Sequence, residues 1–128
     1  MGSFFSSFAP PIVDDSTESS KVVAFHNSEE WKTHFATIKD SSNLTVIDFT
    51  ATWCGPCRII APVFAKFSNT FPHVSFVKID VDELADVAKE FQVQAMPTFL
   101  LIKNGKPVDK VVGAKKDELQ RKIEIHSK

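Results

Sequence analysis

The sequence predicts an α/β protein, a mixed five-stranded central sheet flanked by four helices, on three observations. From Lys21 onward, short apolar runs of strand length alternate with segments whose apolar residues recur at helical spacing. The last two strand candidates face each other across Asn104-Gly105, a dipeptide favoured in tight hairpins. The two cysteines of the chain lie together in Trp53-Cys54-Gly55-Pro56-Cys57, where an apolar strand gives way to a helix.

The first twenty residues stand apart. They hold Pro10-Pro11, many serines, the acids Asp14, Asp15 and Glu18, and no Lys or Arg. That is the composition of a disordered extension. It lacks the basic start and apolar run of a secretory signal, and it is too acidic for a typical mitochondrial leader. Residues 1–20 are therefore set apart from one domain over residues 21–128, and 43% hydrophobic content over 128 residues suffices for one core.

The elements follow in order. Residues 21–26 form a short strand candidate, and Asn27 with Glu30 three residues later makes a capping box for a helix carrying Trp31, Phe35 and Ile38. Residues 44–51 are almost continuously apolar, as in a buried strand, and Asp48 breaks the run. A second helix starts near Cys54 or Cys57 with Cys57, Ile60, Ala61, Phe64 and Phe67 on one face; Pro62 is expected to kink it. Residues 74–80 form a third strand, and Asp82 is a candidate cap for a helix with Leu84, Val87, Ala88 and Phe91 on its face. Residues 98–102 and 107–112 make the hairpin, Gly113 ends the sheet, and residues 117–126 form the last helix around Leu119 and Ile123. Strands joined through helices run parallel, while the hairpin adds an antiparallel pair.

The cysteine spacing points to redox chemistry. Residues i and i+3 on a first helical turn lie roughly 5 to 5.5 Å apart at Cα, within disulfide range. Closing so small a loop stabilises a fold little, which suits a switch better than a staple. Structural zinc would need more ligands, and no two of His26, His34, His73 and His126 are three to five residues apart. Inert buried thiols fit poorly with Gly55-Pro56, which is turn and helix-start chemistry.

A helix N-terminus stabilises a thiolate. Cys54, nearer the loop, is expected to be the exposed attacking sulfur and Cys57 the buried resolving one. Asp48, costly inside an apolar strand unless protonated or paired, is a candidate acid/base for Cys57, and Lys78 is its candidate partner; a solvent-facing position is the alternative for each. Pro97 in Met96-Pro97-Thr98 either opens a strand or follows a cis peptide. Net charge is −1 with no basic run, which gives nucleic acid no electrostatic footprint, and no stretch is long and apolar enough to span a membrane as a helix. Two cysteines without a scaffold pattern suit a reducing compartment.

Asp48-Phe49, Trp53-Cys54-Gly55-Pro56-Cys57-Arg58, Ala61-Pro62, Met96-Pro97-Thr98, Asn104-Gly105 and Val112-Gly113-Ala114 together resemble the thioredoxin family from about Val22 to the C-terminus. Residues 48–53 and 111–119 look like its plant cytosolic h-type group. The resemblance implies the thioredoxin fold and a protein-disulfide reductase. In it, Pro97 would be a cis proline, Asp48 the buried acid and Lys78 its partner. Trp53, Met96, Pro97, Val112, Gly113 and Ala114 would form a groove for an extended target segment.

It further implies an NADPH-dependent, flavin-containing thioredoxin reductase as electron donor, disulfide-containing proteins as targets, and a monomer with no bound cofactor. Gly55-Pro56 between the cysteines resembles reducing members of the family. Thr50 departs from many bacterial members, which have a tryptophan there. A binding module without turnover, or an oxidase or isomerase, are the other readings.

Residues 1–6 also fit a myristoylation pattern with Gly2 as acceptor and Ser6 at the required position; a chance match in a serine-rich tail is the alternative. One acyl chain gives only marginal, reversible membrane contact. The expected location is the cytoplasm, with membrane association through the N-terminus or a mitochondrial address as variants.

Overall fold

The structure, a computed structural model, describes residues 20–128. The expectations placed on residues 1–19, including the extension and Gly2, lie outside the described residues. The elements are β1 (Val23–Phe25), α1 (Ser28–Ile38), β2 (Thr45–Thr50), α2 (Gly55–Thr70), β3 (Ser75–Asp80), α3 (Ala85–Glu90), β4 (Thr98–Lys103), β5 (Lys106–Val112) and α4 (Lys116–His126). Their kind and order are those expected from the sequence.

The sheet runs β1-β3-β2-β4-β5. β3 pairs in parallel with β1 and β2, while β4 runs antiparallel to both β2 and β5. β2 is thus paired on both sides, and all six of its residues are buried. Alternation along each strand sends Val46, Phe76, Phe99 and Leu101 to one face, against Phe64 of α2 and Leu119 of α4. Ile47, Phe49, Val77 and Ile79 go to the other face, against Trp31 of α1 and Val87 of α3. Two cores, one per face, hold the helices to the sheet.

Local signals mostly act as expected. The Asn27 side-chain oxygen accepts a hydrogen bond from the Glu30 N–H at 2.8 Å and caps α1. Asn104 and Gly105 take φ values of 54° and 74°, the left-handed pair that a tight hairpin requires. Pro62 sits inside α2, which continues unbroken from Gly55 to Thr70, so the expected kink does not divide it.

One helix-start signal fails. Asp82 does not cap α3: that helix begins at Ala85 behind Leu84, with no side-chain cap hydrogen bond. The residues between form a turn, in which the Asp80 carboxylate accepts from the Asp82 N–H at 2.8 Å. The Asp82 carboxylate is drawn away to a different partner.

Candidate active site

β2 ends at Thr50 and α2 begins at Gly55, so the loop between them brings both cysteines to the C-terminal end of the central strand. Cys54 is the N-cap of α2, with extended backbone at φ −93° and ψ 110°. Its sulfur takes the place usually held by a Ser or Asp oxygen, accepting from the Cys57 N–H at 3.2 Å. Pro56 in the first turn leaves no unpaired N–H. Cys54 and Cys57 are joined by a disulfide, with their Cα atoms 5.3 Å apart.

Cys54 is not the exposed sulfur that its place near the loop suggests. Cys54 is 5% exposed and Cys57 3%. The cover comes from far along the chain: Met96 and Val81 pack against the cluster of Ala51, Cys54 and Cys57, and the Met96 carbonyl oxygen lies 3.6 Å from the Cys54 sulfur. Trp53, by contrast, is 64% exposed. Its indole N–H donates to Asp82 Oδ2 at 2.9 Å, which is what the Asp82 carboxylate does instead of capping α3.

The Met96–Pro97 peptide is cis, which decides between the two readings of that proline. Because β4 starts at the sheet end where β2 finishes, Met96 and Pro97 arrive beside the cysteines. β5 returns to the same end, pairing Val112 with Thr98 and placing the Gly113 N–H 2.8 Å from the Pro97 carbonyl, to which it donates. Gly113 does so at φ 103°, a conformation that favours glycine. Trp53, Val112 and Ala114 are exposed around buried Pro97 and half-buried Met96 and Gly113. The residues expected to make a groove thus share one edge.

Asp48 lies in mid-strand, 1% exposed, and is the register partner of half-buried Lys78 on β3. The solvent-facing alternative for Asp48 is excluded. Burial pushes its carboxyl up to about 7, against the opposing pull of the Lys78 ammonium. Oδ1 has no hydrogen-bond partner among the described residues. Asp48 and Lys78 line a cavity of about 460 Å³ with Arg58, Ala61 and Pro62. Arg58 bridges this cavity and the redox loop, since its guanidinium donates to the Thr52 carbonyl at 2.7 Å.

Sequence reasoning assigned no site role to Arg58, Asp82 or Ile59. Ile59 is 76% exposed on the first turns of α2, and its position two residues past Cys57 was the only available signal. Asp82 had a signal that pointed the wrong way, toward a cap.

The thioredoxin family model matches residues 22–125. The chain is 52% identical over 110 residues to a thioredoxin H-type of Fagopyrum esculentum, covering 86% of this chain and 95% of that protein. It is 54% identical over 127 residues to thioredoxin H2-2 of Oryza sativa subsp. japonica, covering 98% and 95%. Among solved structures, thioredoxin NaTrxh from Nicotiana alata superposes with a TM-score of 0.84 at 54% identity, covering 96% of this chain and all of that one.

Proposed function

From the premise that this chain belongs to the thioredoxin family and is a thiol–disulfide oxidoreductase, we propose how its residues divide the work. The observation that carries the division is the Cys57 N–H aimed at the Cys54 sulfur from a helix N-terminus. In the dithiol form, that donor and the helix dipole hold charge on Cys54 Sγ. The Cys54 thiolate attacks a target disulfide, one target sulfur leaves as thiolate, and a Cys54–target mixed disulfide forms. Cys57 then gives up its proton and attacks Cys54 Sγ, releasing the second target sulfur and forming the disulfide seen in the structure. Two electrons pass from the cysteine pair to the target, which leaves as a dithiol.

Asp48 is the proposed acceptor of the Cys57 proton, with Lys78 modulating it. A carboxyl shifted to about 7 can take and return a proton near neutral pH. The cavity beside it is roomy and polar enough for a relaying water. Trp53, Met96, Pro97, Val112, Gly113 and Ala114 hold the target as an extended segment, with Gly55 and Pro56 shaping the turn. An NADPH-dependent flavoprotein reductase reduces the pair again, and the domain over residues 21–128 acts as a cytoplasmic monomer without a cofactor of its own. Myristoylation of Gly2 would add reversible membrane contact; an intact mass lacking the acyl group after expression beside an N-myristoyltransferase would end that part.

The test is the reduction potential of the Cys54–Cys57 couple against a dithiothreitol buffer, paired with trapping by Cys57→Ser. The expected value lies near the figure known for thioredoxin itself, about −270 mV. The variant should accumulate a mixed disulfide through Cys54 and stop turning over. A potential near the isomerase figure of about −180 mV would sink the reductase direction. Retention of full activity by Cys54→Ser would leave only a binding module.

A further inference from the structure

A second concavity lies beside the redox groove, between the C-terminal end of α3, residues 92–94 and β5. Its volume is about 680 Å³, and its lining includes Lys89, Lys110, Gln92, Gln94, Val81 and Met96. We infer that this cleft receives carboxylate side chains of a target protein, on residues flanking the disulfide presented to Cys54. The inference rests on the groove proposed for Trp53, Met96 and Pro97 and names a feature of the targets that groove accepts.

Four observations converge on a carboxylate. The lining carries two lysines and no acid. Both lysines are exposed, and among the described residues neither ammonium has an ion-pair partner, whereas Lys32 and Lys122 do. Two nearby acids are engaged elsewhere, Asp86 with Ser28 and Lys32 at the other end of α3 and Asp109 with Lys122 and His126 beneath α4, and Glu90, beside Lys89 in sequence, does not line the cleft. With a net charge of −1, the chain has no general attraction for anions, so any acid preference must be local.

Gln92 supplies the third observation. It closes α3 in the left-handed region at φ 59°, with its N–H donating to Lys89 O at 3.0 Å and the Val93 N–H to Ala88 O at 2.9 Å. Glycine is the usual residue at this closing position, and any side chain there carries strain. Gln92 thus joins Lys89 and Lys110 in the lining of the cleft, and its side-chain amide is a donor of the kind a carboxylate accepts from. The fourth is continuity. Met96 lines this cleft and also covers the cysteines, and Val81 touches both regions. An extended segment crossing Met96 would carry its next side chains over Lys89 and Lys110.

The experiment uses three synthetic peptides that share one disulfide and differ only in having Glu, Gln or Lys at the flanking positions. Pre-reduced full-length protein is mixed with each at low ionic strength, and the second-order rate of disulfide reduction is read. The wild type should reduce the Glu peptide roughly fivefold faster than the Gln peptide, the scale of two exposed ion pairs. In the Lys89→Ala/Lys110→Ala double variant that ratio should fall to near one, as it should for the wild type in high salt. A wild-type ratio of one, or a ratio that survives removal of both lysines, overturns the inference. Val112→Asp, read with the uncharged Gln peptide, tests the groove itself: a lowered rate is expected, and an unchanged rate overturns the groove and the cleft's place beside it. Matched thermal melts establish that each variant is folded.

Discussion

Asp48 discloses itself by being out of place. One charge inside an apolar run is a physical contradiction, and burial at 1% exposure resolves it by keeping the carboxyl protonated up to about pH 7. Unfolded, the same group ionises near 3.9. The folded state therefore holds an extra proton between those values. The stability this lends is full below pH 3.9, declines as pH rises, and is gone above about 7. The span corresponds to roughly 4 kcal/mol. Asp48→Asn should lack that slope, so its stability relative to wild type should rise by several kcal/mol between pH 4 and pH 8 in urea unfolding. Parallel profiles for the two proteins would mean that Asp48 ionises freely in the fold. The burial of Cys54 is not legible in the same way, because its cover, Met96, lies 42 residues further on.

At the scale of elements, start signals are legible where their partners are local. Asn27 precedes a strongly helical pattern and caps it. Asp82 precedes an equally apolar pattern, yet the exposed Trp53 indole competes for its carboxylate and wins. Local sequence cannot register a competitor 29 residues away. The hairpin is legible because Asn104-Gly105 needs no distant partner to form its turn. The structure adds that the turn is also docked: the Asn104 N–H donates to Ser41 O at 2.8 Å, and a Cβ on Gly105 would come within 2.9 Å of Lys39 O. Gly105→Ala should thus cost more than its left-handed backbone alone, about 2 kcal/mol or above. Chemical denaturation measures this, and a loss under 0.5 kcal/mol, about the scale of an ordinary surface change, would mean the turn shifts to escape Lys39.

For the whole molecule, the pattern of alternation conveys the sheet and its helices, while the pairing order β1-β3-β2-β4-β5 is visible only in the folded chain. Periodicity shows that a strand is buried on both faces; it does not show which strands lie beside it. The position of β2, paired on both sides between two cores, makes a prediction about cooperativity. Amides of Val46–Phe49 and of Leu100–Leu101 should exchange hydrogen only through global unfolding, and those of the three-residue edge strand β1 by a cheaper local opening. Uniform protection across the sheet would show that β1 opens only with the rest.

The antiparallel course of β4 also gives the molecule two unlike ends. Pro97 precedes β4 at the cysteine end, and at its other end the Lys103 ammonium donates to the carbonyl of Lys128, the last residue. A protein tethered to an electrode or bead by its C-terminus would therefore stand with its disulfide facing outward. An immobilised layer would be oriented by the fold itself, and electron exchange with soluble targets would proceed without steric loss from the support.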